Sequence, residues 1–367
     1  MKSMTFLAGG VVLFAPMVAL ADGTFPMINS ETSIEVQNDG VIRNSDKSMG
    51  TYDDLHLKVE QETGVFLSPE FGIKSQVVLE PLMTPDGDRF FANNGLYLEQ
   101  LYAQYRTDIA GIYAGKFNPA FGRAYDDAPG IYGTDFAGDY ELTEADGIGG
   151  VVDFGNDRVG HYEVKGAAFT LDTTFLSESL FTRPNGSNPR TDRPRRFTRD
   201  QGGLYNTGDL DNFTVDLGLY GLAAVPDLTA YVSFESLGNG TPGASRQTGV
   251  AAGLGYEVDL GGGMSLVPRA EYAHFNNADG DPATNADYVT ASVELDKGPW
   301  DVAVVGGVRK FNSNGAAADY TDHLREVSAG YTFENGVKLE VSAAGESDAG
   351  TDTTLIGAKL SWSLRGP

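Results

Sequence analysis

The residues able to do chemistry fall into two charged segments and a scatter of isolated positions. Residues 118–146, NPAFGRAYDDAPGIYGTDFAGDYELTEAD, carry Asp126, Asp127, Asp135, Asp139, Glu141, Glu144 and Asp146 against one basic residue, Arg123. Where water is scarce, carboxylates gathered this closely set up a field that draws cations and repels anions. On an open surface the same acids are only a solvated loop that takes up divalent ions. A second segment, TRPNGSNPRTDRPRRFTRD at 182–200, has the opposite sign, with Arg183, Arg190, Arg193, Arg195, Arg196 and Arg199. Forked guanidinium donors suit phosphate or carboxylate, so Arg193, Arg195 and Arg196 are candidates for an anion-binding loop. The plain alternative is a flexible basic surface loop, favoured by its Pro, Gly and Asn.

Enzymatic chemistry has little support. The four histidines, His56, His161, His274 and His323, are far apart and lack metal-ligand spacing. No nucleophile, base and orienting group announce themselves as a set. Residues 276–287, NNADGDPATNAD, are dense in Asp and Asn but lack the glycine and terminal glutamate spacing of a calcium loop. We expect no catalytic residue, no metal and no cofactor.

The elements that position these residues read as one device repeated. In DLHLKVEQE, Leu55, Leu57 and Val59 alternate with His56, Lys58 and Glu60. In FTVDLGLYG, Phe213, Val215, Leu217 and Leu219 alternate with Thr214, Asp216, Gly218 and Tyr220. At the end of the chain Ile356, Ala358, Leu360, Trp362 and Leu364 share one parity. A period of two means strands with one apolar and one polar face. Sixteen such segments are expected, near 31–38, 52–64, 71–83, 96–106, 109–116, 147–154, 159–170, 213–224, 228–236, 248–259, 264–275, 288–296, 300–311, 323–333, 337–346 and 353–364. Short connections (67–70, 107–108, 156–158, 225–227, 261–263, 297–299, 334–336) alternate with longer polar ones, seven against eight. Asn335-Gly336 is the pair a tight hairpin turn prefers.

The address is read at the N-terminus. Residues 1–21, MKSMTFLAGGVVLFAPMVALA, have a positive start, an apolar run and small residues before a cleavage point after Ala21, the pattern of a secretion signal. Residues 22–367 are then the mature barrel. Cleavage removes Lys2 and leaves 51 acidic against 25 basic side chains, a net charge of −26, which excludes nucleic acid as a main partner. Cys is absent, so neither disulfides nor thiolate metal sites enter the fold. No other stretch has the run of about 20 apolar residues that a membrane helix needs. The fold class that fits is all-β: a transmembrane antiparallel barrel with short periplasmic turns, long external loops, an apolar outer face and a polar, water-filled lumen. Lys58, Lys74, Arg269, Arg309 and Lys338 fall on the lumen parity and are the candidate wall cations; pairing with Glu60, Glu80, Glu271 and Glu340 across strands is the competing role.

The segment YAGKFNPAFG, residues 113–122, joined to this topology, resembles the general bacterial porins and more loosely the porin O/P-type channels. The resemblance implies a homotrimer in the bacterial outer membrane, among lipid and lipopolysaccharide. It also implies a third external loop folded into each lumen as a constriction, here residues 117–146, and passive diffusion of small hydrophilic solutes. Family members usually end on an aromatic residue; this chain runs on past Trp362 to Leu364-Arg365-Gly366-Pro367. The expected function is a cation-biased diffusion channel. Its alternatives are a phosphate- or organic-acid-specific channel using the arginine-rich loop 171–212, a plugged adhesive barrel, and a barrel-embedded lipolytic enzyme.

Overall fold

The computed structural model describes residues 25–48, 50–181, 193–315 and 318–366. The segment 1–21, and Arg183 and Arg190 of the arginine-rich loop, lie outside the described residues. Sixteen strands run antiparallel around one closed sheet. They are β1 Met27–Asn44, β2 Tyr52–Phe66, β3 Phe71–Pro81, β4 Asn94–Arg106, β5 Ala110–Phe117, β6 Ala145–Asn156, β7 Gly160–Leu171 and β8 Asn212–Leu222. The second half is β9 Val225–Leu237, β10 Gln247–Tyr256 with its continuation Val258–Gly261, β11 Met264–Asn276, β12 Thr284–Lys297, β13 Trp300–Ser313, β14 Tyr320–Thr332, β15 Lys338–Asp348 and β16 Thr351–Gly366. Closure is made by β16 on β1, paired from Ser30↔Gly366 to Asn44↔Thr353 with a one-residue bulge between Val41 and Arg43. A closed sheet satisfies every ladder donor and acceptor and leaves no edge.

Burial is inverted relative to a soluble protein. Along β14 the buried Asp322, Leu324, Glu326 and Ser328 alternate with the exposed His323, Arg325 and Val327. Around the outer wall Val232, Val250, Val304 and Ile356 are more than two-fifths exposed, while Gln76, Asp216, Ser233 and Glu340 are buried on the inside. Water would drive the opposite arrangement; an apolar outside and a polar inside are stable where the surround is hydrocarbon. At the turn end the rings of Trp300, Tyr331 and Phe333 pack edge to face on the outside, with centroids 4.6 and 4.9 Å apart. Such amphipathic rings belong at a membrane interface.

The tight turns are built as their residues dictate. Lys297↔Trp300 closes a two-residue hairpin on Gly298, whose φ of 59° is costly for a side chain with Cβ. Gly336, at φ 84° after Asn335, sits in the three-residue turn 334–336 that Phe333 and Val337 close. Two expectations need correction. The β8–β9 turn falls at 223–224 rather than at 225–227, because Val225 already pairs with Leu222. The last connection on the loop side is not long: β15 and β16 run on to Asp348↔Thr351, joined only by Ala349-Gly350. Polar strand ends such as Glu346, Ser347 and Asp348 read as loop although they continue the ladder. Among the described residues the 172–211 connection adds to the sheet only Leu180–Phe181, paired with Gly95–Leu96 of β4.

Candidate functional site

After β5, Pro119 and Gly122, the latter at φ 67°, turn the chain inward. The loop 118–144 lies inside the barrel and contains two short helical turns, α1 Ala124–Asp127 and α2 Asp135–Gly138. The start of α1 and the irregular backbone before α2 leave N–H groups without partners in the loop, and two wall carboxylates take them. Glu271 on β11 accepts the N–H groups of Arg123 (2.6 Å) and Ala124 (3.1 Å) and the hydroxyls of Tyr140 and Tyr231. Glu326 on β14 accepts from the N–H groups of Ile131 (2.8 Å) and Tyr132 (3.2 Å) and from the Ser342 hydroxyl (2.6 Å). Both carboxylates are under 5% exposed. A carboxylate with several donors holds its position far better than a single neutral hydrogen bond would.

Further contacts spread the loop across the lumen. Tyr132 donates to Asp39 of β1 at 2.9 Å, and its hydroxyl would stand 2.7 Å from a Cβ at Gly357 of β16, so only glycine allows this approach. The Arg123 guanidinium pairs with Asp216 (2.8 Å) and Tyr220 (2.9 Å) and lies 4.6 Å from the Tyr231 ring centre. Asp139 accepts from Tyr288 (3.1 Å) and Arg309 (3.0 Å). Beneath the loop, Phe121, Phe136, Tyr140, Phe275 and Tyr288 form an aromatic core within the barrel.

Of the acids in the expected constriction loop, Asp126, Asp127, Asp135, Asp139 and Glu141 stand on its lumenal part. Glu144 does not. It is buried at the loop's return, clasped by Lys116 (2.7 Å) and Arg193. Burial, with Glu99 and Asp126 nearby, pushes the Glu141 carboxyl up to about 8. The five candidate wall cations all face the lumen. Lys58 meets Glu60 (2.7 Å), Arg269 meets Glu294 (2.8 Å), Arg309 meets Asp322 (3.0 Å) as well as Asp139, and Lys338 meets Asp301 (3.0 Å). Lys74 is buried, its Nζ 5.5 Å from the Phe66 ring centre. In the arginine-rich segment, Arg193 is buried over the Tyr97 ring, 3.7 Å from its centre. Arg195 pairs with Glu178, and Arg196 donates to the Thr173 carbonyl.

Three cavities run along the wall from β7 to β13. An outer one, about 190 Å³, lies among Asp139, Glu141, Glu235, Asp279, Tyr205 and Tyr288. A middle one, about 300 Å³, lies among Arg123, Asp126, Asp127, Glu163, Lys165 and Asp216. An inner one, about 210 Å³, reaches Asp227, Glu257, Arg269 and Asp296 near the turn end. Neighbouring cavities share walls: outer and middle share Tyr140, Glu141 and Leu142, while middle and inner share Asp127, Thr229 and Tyr231. Sequence reasoning missed Asp216, Glu235, Glu271 and Glu326 as site residues, because each sits on an ordinary polar parity. Only the loop opposite gives them a role.

No family model matches the sequence, and no curated protein matches it. Solved structures share its architecture. The outer membrane channel DcaP of Acinetobacter baumannii superposes with a TM-score of 0.56 at 11% identity, covering 92% of this chain and 97% of that one. OccK1 (OpdK) of Pseudomonas aeruginosa superposes at 0.53 and 10% identity, covering 92% and 99%. A loop-deletion mutant of OmpT, an outer membrane protein of Vibrio cholerae, gives 0.53 and 11%, again covering 92% and 99%. The barrel is porin-like. Identities this low carry the fold of those channels to this chain and nothing of their solutes.

Proposed function

We propose that this porin-like barrel is exported to a bacterial outer membrane. There it conducts small hydrophilic solutes passively, with a preference for cations, and catalyses nothing. The observation that carries this reading is the charge lining the three cavities. The outer one has Asp139, Glu141, Glu235 and Asp279 and no basic lining residue. The middle one sets Asp126, Asp127, Glu141, Glu163 and Asp216 against Arg123 and Lys165, which are held by Asp216 and Glu163 (2.8 Å each). The inner one sets Asp127, Asp227, Glu257, Glu271 and Asp296 against Arg269, itself paired with Glu294. A narrow passage between low-dielectric walls with this balance favours cations. The test is the sign of the reversal potential of single channels under a KCl gradient: a cation-selective potential supports the reading, and an anion-selective one overturns it.

OpdK has been crystallised with vanillate, and an organic-acid channel is the second reading here. It draws on the exposed Arg195 and Arg196, and charge reversal of both would then abolish anion uptake. A homotrimer is the proposed assembly. On the outside of β1–β3 the side chains of Ser30, Thr32, Gln61, Thr63 and Ser75 adjoin one another in register. So polar a patch among lipid-facing strands is better covered by a second copy than by acyl chains. Lipopolysaccharide is the expected neighbour at the loop end.

A further inference from the structure

Glu235 on β9 is fully buried, and only one of its oxygens is used. Gln247 donates to Oε1 at 2.7 Å, while Oε2 has no hydrogen-bond partner among the described residues. A buried carboxylate left short of a partner is costly, and such groups normally hold a donor or a counter-charge. Glu235 lines the outer cavity, in which Glu141 and Asp279 add carboxylates and no Lys or Arg appears. Asp139, the fourth acid there, already has Arg309. The same wall holds Tyr140, Phe275 and Tyr288, with ring centres 5.5, 5.1 and 5.7 Å apart. Gln247 fixes the floor, donating to Glu235 and accepting the Asp279 N–H at 2.8 Å.

We propose that this outer cavity is a binding subsite for the ammonium head of an organic cation, which docks its N–H donors on Glu235 and Glu141 beside the aromatic rings. Three features select that chemistry. An ammonium brings both the missing charge and the missing donor, whereas a bare alkali ion brings only charge. Aromatic faces attract cations and also accept the alkyl part of an amine. At about 190 Å³ the cavity has room for roughly six water-sized groups, the bulk of a short alkylamine. An anion would meet three carboxylates without a compensating cation. The inference rests on the channel reading only in that a solute enters from the loop-side mouth.

The test uses the mature barrel, folded in detergent and reconstituted in planar bilayers. In dilute KCl at pH 9, where Glu141 is ionised and the amine still carries its proton, n-butylamine added on the loop side interrupts the open-channel current, and butyrate of the same chain length does not. Glu235→Gln weakens that block by roughly tenfold, the loss of one charge-assisted hydrogen bond, with each variant referred to its own unblocked current. If E235Q does not give a folded barrel, Asp279→Asn replaces it, since asparagine accepts the left-handed φ of 55° at that position. Equal block of wild type and variant, or equal block by butyrate, overturns the subsite. Isothermal titration of n-butylamine into detergent-folded barrel keeps the two readings apart. Binding that E235Q removes, in a protein that passes no current, retains the subsite and discards the channel; current with neither binding nor block does the reverse.

Discussion

At the scale of single residues, the carboxylates have unlike duties. Glu271 is a structural clasp: four donors converge on it, so Glu271→Ala orphans two backbone N–H groups and two tyrosine hydroxyls. We expect it to lower stability by about 2–3 kcal/mol and to raise conductance and current noise as the loop loosens, measured by denaturation in detergent and by single-channel recording. Glu141 lines two neighbouring cavities. Its carboxyl is pushed up to about 8, first by burial and then by Glu99 and Asp126, so it is largely neutral at pH 6 and ionised at pH 9. Cation preference should therefore rise between those values, and rise less steeply in Glu141→Gln over the same range. A slope unchanged in the variant would remove Glu141 from the path. The sequence marked Glu141 as one acid among seven; its special standing comes from packing on Tyr140 and Leu142 between two cavities.

At the scale of elements, two long loops are tied together by a buried network. Lys116 on β5 is fully buried, with Glu144 at 2.7 Å and Asp172 at 2.9 Å, and Arg193 closes on Glu144 from the other loop. Removing one member of such a set leaves buried charge uncompensated. Lys116→Met is expected to cost about 3–5 kcal/mol and to speed tryptic cleavage at the exposed Arg195 and Arg196, read as a rate on folded barrel in detergent. The strands themselves were legible: sixteen were expected and sixteen are found, most within a few residues, because each carries its own period. The loops were not. Their acids and arginines give composition, but which partner each meets depends on strands far away in sequence. Arg193 sits in this network, not on an open anion-collecting surface, for that reason.

At the scale of the whole molecule, the inverted burial makes a sharp prediction. Val304, on the outside of β13, is 55% exposed. In a soluble protein Val304→Lys would be close to neutral. In a bilayer it should destabilise the barrel by about 2–4 kcal/mol near the midplane, measured by reversible unfolding in vesicles. A cost near zero would contradict a lipid-facing wall. The net negative charge is shared between the lumen and the loop end, so the cation preference should fall with rising salt over the exposed loops and persist where the loop narrows the lumen.

The sequence by itself determined that this chain is a closed barrel of sixteen strands, because alternation is local and a strand's two faces are written in consecutive residues. It could not say which side chains meet across the lumen. Val304 and Val305 are neighbours of the same type, yet one is 55% exposed to the outside and the other 2% exposed beneath the inner loop. The clasp at Glu271 joins positions 147 and 148 residues apart, a pairing that closure of the sheet creates and no local period records. Only the tertiary structure decided that the acidic loop turns inward, and that Glu235 is left with an open oxygen beside it.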